Sequence, residues 1–360
     1  MKVFVLTDSP SPYQVEFFNQ IETDGVCELR VGYLRGRDPE RHWNPPPLNH
    51  DALMLDGSQS ALSEHRAATR GADLVVFNYY RHALAEELIE QRAVQGTPWC
   101  FWGERPGLRK PKLAGELFRK WKLKMLRRSH APIWAVGEFA LQQYKHEFGH
   151  HRSYKNVPYY SDLDRFARAS VARKRNSSRR VFLFCGSLSL RKGVDLVARA
   201  FVRLVSEVPD VRLRIVGDGE LRDSLRRTLQ PVSERVEFTG FTPWERLPVV
   251  YGDTDVLCVP SRYDGWGLVV PEGLAAGLPV IGSDRMGAAL DLIKNGVNGW
   301  LAAAGDEEAV FAAMREAATV SKERLSQFAF AAAATVENHS LQGGARRFAA
   351  YAGEAVESWN

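Results

Sequence analysis

The chain has 360 residues, 45% hydrophobic and 25% charged; this globular composition excludes a disordered polyelectrolyte, and the length favours two domains of about 150–200 residues over one core. Its four cysteines, Cys27, Cys100, Cys185 and Cys258, are scattered without Cys-x-x-Cys spacing, which excludes a disulfide framework and reads as buried thiols in a reducing compartment. The net charge of +5 is mild, no stretch approaches the roughly 18 apolar residues of a membrane span, and the apolar start Met1–Thr7 is too short for a signal peptide, so a cytoplasmic protein is expected.

From the N-terminus, Lys2–Thr7 reads as a strand, Tyr13–Thr23 as a helix and Cys27–Leu34 as a second strand. Arg35–Asn49, rich in Pro, Arg and Asn, lacks periodicity and reads as a long functional loop. Asp73–Tyr79 and Trp99–Trp102 are further buried strands separated by helical stretches, an alternation that predicts a parallel sheet covered by helices. Apolar periodicity fails over 169–180, which reads as a linker between a domain at 1–168 and a second at 181–328. The second domain repeats the alternation with strands at Val181–Cys185, Arg212–Val216, Val236–Phe238, Asp255–Val259, Pro279–Gly282 and Gly299–Ala302, a second Rossmann-like unit. The Ala-rich tail 329–360 reads as terminal helices.

The segment Pro260–Ile281 carries the most chemistry. It follows the apolar run Asp255–Val259, so it leaves a strand at its carboxyl end, where α/β sheets bind ligands. Gly265 and Gly267 let the backbone approach a ligand, and a helix opening near Leu268 and Val269 turns its N–H groups toward an anion, most naturally a diphosphate. Asp264 precedes this helix and Glu272 lies in its first turns, so both acids flank the anion pocket and can accept from hydroxyls. A second loop, Cys185–Gly193, follows the first strand of the second domain and offers Gly186, Ser187, Arg191 and Lys192. Gly217, after another strand, and Gly240 with Phe241 complete a set of strand-end loops.

The Asp264-x7-Glu272 pair resembles the Glu-x7-Glu motif of retaining glycosyltransferases of family GT4, and 186–193 resembles their Gly-Arg-Leu-x-x-x-Lys-Gly loop. The resemblance covers mainly 181–302. It implies an α/β GT-B fold, two Rossmann-like domains facing across a cleft, with an acceptor-binding domain at 1–168 and nucleotide-sugar binding at 181–328. It also implies that the tail 329–360 packs back on the first domain. Asp264 would lie by the transferred sugar, Glu272 would bond the ribose hydroxyls, and Lys192 would neutralise the leaving diphosphate. Gly217, Gly240, Phe241 and Trp266 would contact the donor from their loops. Two departures stand out: Asp replaces the first Glu, and Ser187 stands where the family has arginine, which leaves Arg191 to supply that charge. In the first domain, Tyr13, Glu104 and Arg105 are candidates for sugar or acceptor contact. The implied activity is a hexosyl transfer with retention, from a UDP- or GDP-sugar to a glycan or lipid-linked acceptor, requiring no metal or other cofactor. A nucleotide-sugar epimerase or hydrolase and a non-catalytic membrane adaptor are the alternatives.

The stretch 105–128 concentrates cations, Arg109, Lys110, Lys112, Arg119, Lys120, Lys122, Lys124, Arg127 and Arg128, against Glu116, with Trp121 and aliphatic residues between them. A basic helix of this kind fits an anionic membrane surface, here the inner face of the cell membrane, and no nucleic-acid motif accompanies it. His146, His150 and His151 read as a polar helix end, not a metal site. Asp162 and Asp164, like Asp253 and Asp255, read as caps at element boundaries.

Overall fold

The structure, a computed structural model, describes residues 1–37, 45–104, 112–171 and 179–359. Two units divide it: Met1–Ser161 with Leu341–Asn360, and Asp162–Ser340.

In the first unit, seven parallel strands stand in the order β3-β2-β1-β4-β5-β6-β7. They are β1 (Lys2–Thr7), β2 (Glu28–Tyr33), β3 (Asp51–Met54), β4 (Leu74–Phe77), β5 (Trp99–Gly103), β6 (Ile133–Ala135) and β7 (Tyr154–Asn156). Helices cover the sheet, so the central strands are continuous apolar runs; all four residues of β4 and all five of β5 are buried. The helix Pro12–Asp24 opens on Ser11 with Pro12 in its first turn and closes on Gly25 at φ 58. The helix Leu341–Glu357 lies in this unit, where Phe348 meets Phe17, Trp102 and Trp134 at centroid distances of 5.9, 6.3 and 5.3 Å. Gly344 makes that approach possible, since a Cβ there would sit 2.6 Å from the Tyr160 ring.

In the second unit, six parallel strands stand in the order β10-β9-β8-β11-β12-β13. They are β8 (Arg180–Cys185), β9 (Val211–Val216), β10 (Val236–Gly240), β11 (Val256–Cys258), β12 (Val280–Ser283) and β13 (Gly299–Ala302). The helix Val194–Glu207 buries Val194, Val197, Phe201 and Leu204, a spacing of three and four residues that gives one apolar stripe against the sheet. Each such side chain removed from water contributes about 1.5–3 kcal/mol. The helix Lys322–Thr335 belongs to this unit and is capped by Ser321, whose hydroxyl accepts from the Arg324 N–H at 3.1 Å.

Both sheets have the doubly wound order, which reverses direction beside the first strand of each unit. The loops after β8 and β11 leave opposite sides of such a reversal, as do those after β1 and β4. That is where open α/β sheets form crevices for ligands. Of the stretch 169–180, residues 172–178 lie outside the described residues.

Candidate functional site

At the reversal point of the second unit, three glycines join the strand ends through backbone. The Gly186 N–H donates to the Val216 carbonyl at 3.0 Å, and the Gly217 N–H to the Gly240 carbonyl at 2.8 Å. Gly217, at φ 127, passes so close to Gly186 that a Cβ would lie 1.9 Å from the Gly186 carbonyl oxygen. Gly193, at φ 74, ends the 3-10 turn Leu190–Lys192 and would place a Cβ 2.2 Å from the Pro260 carbonyl oxygen. Only glycine fits such approaches, and together they draw the loop after β8 onto the loop after β11.

That approach brings Lys192 to Asp264, where the ammonium donates to Oδ2. Arg191 Nη1 stands 3.7 Å from Asp264 Oδ1 and donates to the Tyr263 carbonyl at 3.2 Å. The Lys192 and Asp264 side chains are 18% and 13% exposed, so their charges act through a medium that screens them less than bulk water does. The trio carries one surplus positive charge and meets water at its rim. Asp264 is itself held by backbone, its N–H donating to the Arg285 carbonyl at 3.1 Å and its carbonyl accepting from Gly287 at 3.3 Å.

Glu272 lies in the helix Val269–Ala275, in the turn after Gly267 (φ 91) and Leu268. It is 9% exposed, and one of its oxygens accepts from the Tyr251 hydroxyl at 3.4 Å. Tyr251 is fully buried and also meets the Cys185 thiol. Burial raises the Tyr251 hydroxyl well above its ordinary pKa and pushes Cys185 up to about 12, so both remain protonated donors at neutral pH. Gly267 packs on Met286, which a Cβ would approach to 2.3 Å. Trp266 does not line open space: it is buried and stacks on His339 at 6.0 Å. Gly265 instead offers close backbone packing, since a Cβ on Gly287 would lie 2.5 Å from its carbonyl oxygen. Ser187 keeps to its own turn, with its hydroxyl 3.3 Å from that of Ser189. Phe241 follows β10 and is half exposed.

In the first unit, Tyr13 and Glu104 converge on a residue that sequence reading passed over, Tyr159. The Tyr13 ring lies 4.9 Å from the Tyr159 ring, and the Glu104 charge faces the buried Tyr159 hydroxyl, which burial above all raises far above its usual pKa. Beside them, at the ends of β1 and β4, Asn78 Oδ1 accepts from Thr7 and from Gln14, both at 2.9 Å. Arg105, Arg109 and Lys110 lie outside the described residues. Lys112 opens the helix Lys112–Lys122, which a second, Lys124–Arg128, follows.

The charge balance of these helices differs from the sequence reading, because acids distant in sequence reach them. Arg119 donates to both oxygens of Glu147 at 3.1 and 2.5 Å, Lys122 to Glu86 at 2.5 Å, and Lys120 pairs with Glu116 at 2.5 Å. Lys124, Arg127 and Arg128 are exposed, next to Leu117 and Trp121, which are 68% and 63% exposed. Leu123 and Leu126 point the other way, into the core.

Among the described residues, no three His, Cys, Asp or Glu side chains are grouped to hold a metal ion, and no helix is long and apolar enough to cross a membrane. Asp162 accepts from the Asp164 N–H at 3.1 Å and Asp255 from Val181 at 2.8 Å, the boundary roles expected of them. The second unit thus gathers two cations, Lys192 and Arg191, and the carboxylate of Asp264 where the loops after β8 and β11 meet.

Residues 167–332 match the family model of the glycosyl transferases group 1, which bears out the resemblance read from the sequence. A GDP-mannose-dependent alpha-(1-6)-phosphatidylinositol monomannoside mannosyltransferase of Mycolicibacterium smegmatis is 32% identical over 194 residues, 50% of this chain and 50% of that protein. A GDP-mannose-dependent monoacylated alpha-(1-6)-phosphatidylinositol monomannoside mannosyltransferase of Corynebacterium glutamicum is 29% identical over 168 residues, 42% of this chain and 44% of that one. The chain thus spans about half the length of the curated relatives it matches. The crystal structure of Anabaena HepE in complex with UDP superposes with a TM-score of 0.77 at 16% identity, covering 98% of this chain and 100% of that one. The fold is GT-B, with two Rossmann-like parallel-sheet domains.

Proposed function

We propose that the protein is a GT4-like retaining glycosyltransferase that moves a sugar from a UDP- or GDP-sugar to a glycan or lipid-linked acceptor. The contact of Lys192 with Asp264, with Arg191 beside them, carries this reading: it joins a cation pair to an acid where two strand-end loops meet. In this reading the C1–oxygen bond to the diphosphate breaks and its electron pair passes to the phosphate. Lys192 and Arg191 stabilise that growing charge, a role that needs no metal. Asp264 turns its carboxylate to the sugar and supports positive character at C1, and Glu272 accepts from the ribose hydroxyls. The acceptor oxygen enters on the face the phosphate leaves, and its proton passes to the leaving phosphate. The relatives named as GDP-mannose-dependent mannosyltransferases and the UDP complex support a nucleotide-sugar donor. Calorimetry with GDP and UDP, then mass spectrometry of acceptor glycosylation with the matching sugars, tests it. Turnover of the donor with no acceptor consumed would replace transfer by hydrolysis or epimerisation.

Glu272→Ala is expected to weaken nucleoside diphosphate binding about 10- to 100-fold, since a hydrogen bond to a charged group is worth about 1.5–3 kcal/mol. An unchanged Kd by calorimetry removes Glu272 from the ribose.

The lipid-linked acceptor goes with an anionic membrane surface met by Leu117, Trp121, Lys124, Arg127 and Arg128. Each cation near such a surface contributes about 1 kcal/mol. The triple change Lys124→Gln, Arg127→Gln, Arg128→Gln is therefore expected to lower partitioning to phosphatidylserine vesicles about 100-fold in a sedimentation assay at low salt. Partitioning that ignores these changes, or that is equal on neutral vesicles, excludes this surface.

A further inference from the structure

Lys192 and Asp264 come from different loops, 186–193 after β8 and 260–268 after β11, so something outside the pair must fix their spacing before a ligand arrives. Arg262 spans that gap. Its Nη1 donates to the Leu190 carbonyl at 2.6 Å and to Asp195 Oδ1 at 2.7 Å, and its Nη2 donates to Asp195 Oδ2 at 2.7 Å. Its backbone N–H donates to the Arg191 carbonyl at 2.8 Å. Leu190 and Arg191 immediately precede Lys192, and Asp195 follows it by three residues in the first turn of the helix Val194–Glu207. Asp195 is 12% exposed on its side chain, and its Oδ2 also accepts from Arg199 Nη2 at 3.2 Å. A planar, two-bond Arg–carboxylate fork fixes direction as well as distance, which a lysine cannot reproduce.

We infer that Arg262 is a positioning residue of the donor site: its fork to Asp195 and Leu190 clamps the cation loop to the acid loop and sets where Lys192 stands relative to Asp264. The inference rests on the reading of Lys192 as a phosphate-binding residue. Sequence reading missed Arg262 because its partners lie 67 and 72 residues away.

A double-mutant cycle on the full chain tests it, with GDP and UDP as the calorimetric probes and thermal unfolding as the check on folding. Arg262→Ala is expected to weaken the tighter-binding diphosphate about 10-fold on the parent background, and no more than about 2-fold on Lys192→Ala, because a residue acting through Lys192 has nothing left to position. Arg262→Lys, taken through the same cycle, is expected to recover little, and it keeps the test available if the alanine variant does not fold. Losses that multiply in the double variant, or full recovery by Arg262→Lys, overturn the positioning role while leaving the donor-site reading intact. An unchanged affinity of Lys192→Ala for the free diphosphate, which already carries the charge that develops as the bond to C1 breaks, overturns the donor-site reading, and the inference with it.

Discussion

Lys192→Ala is expected to lower turnover of the nucleotide sugar about 100-fold or more while changing KM much less. The reason is when the charge is needed: a bound nucleotide sugar already carries a diphosphate, but one further negative charge develops on it only as the bond to C1 breaks. A cation placed at that oxygen therefore stabilises the transition state more than the ground state, and removal of such a group costs about 2.7–4 kcal/mol. In the proposed reading Lys192 takes this role from the loop after β8, where its ammonium is held on Asp264. The fold is expected to survive, since the lysine packs at the rim and not among the buried residues of the sheet. Arg191→Ala is the companion measurement, its guanidinium lying 3.7 Å from the same carboxylate. Steady-state kinetics decide: a raised KM at unchanged kcat would show that Lys192 binds substrate and transition state alike, and full activity in Arg191→Ala would leave the clamp with one cation.

Gly217→Ala is expected to destabilise the second unit by about 3 kcal/mol or more and to abolish measurable diphosphate binding. At φ 127 the residue occupies backbone space open to glycine, and its Cβ would stand 1.9 Å from the Gly186 carbonyl oxygen. That oxygen belongs to backbone, so it cannot swing aside as a side chain would. Moving it disturbs the Gly186 hydrogen bond to Val216 and the Gly217 bond to Gly240, at 3.0 and 2.8 Å. Gly240→Ala provides the contrast: φ is 73, but nothing lies within 4 Å of the new Cβ, so only the left-handed conformation is penalised, by about 1 kcal/mol. Thermal unfolding separates the two, with falls of roughly 6–12 °C and 2–4 °C in a unit of this size. Equal shifts would mean that the Gly186 contact contributes nothing.

The parts of the fold that were legible have a common property. The strands at Lys2–Thr7, Val256–Cys258 and Gly299–Ala302 are apolar runs bounded by breakers, because burial on both faces of a parallel sheet leaves no polar period to confuse the reading. Three short strands escaped it. Ile133–Ala135 and Tyr154–Asn156 have three residues each, too few for any period, and Asp51–Met54 follows a loop whose length hid the strand after it. Cations were legible as types but not as partners. Glu86 and Glu147 reach Lys122 and Arg119 across 36 and 28 residues, and turn part of an apparent basic surface into internal ion pairs.

The sequence by itself determined the alternation of strands and helices, the glycines that turn the backbone at strand ends, and the acid pair Asp264 and Glu272 on a helix entry. These are local facts, set by residue type and by spacing within one element and its flanking loop. Tertiary structure alone decided that Lys192 meets Asp264, that Tyr251 stands behind Glu272, and that Arg262 ties the two loops together. The physical reason is the sheet order: β8 and β11 are neighbours although two strands and their helices intervene in the chain. Hydrogen-bond pairing of those strands thus sets the contact between residues 72 positions apart, a distance over which no sequence period carries information.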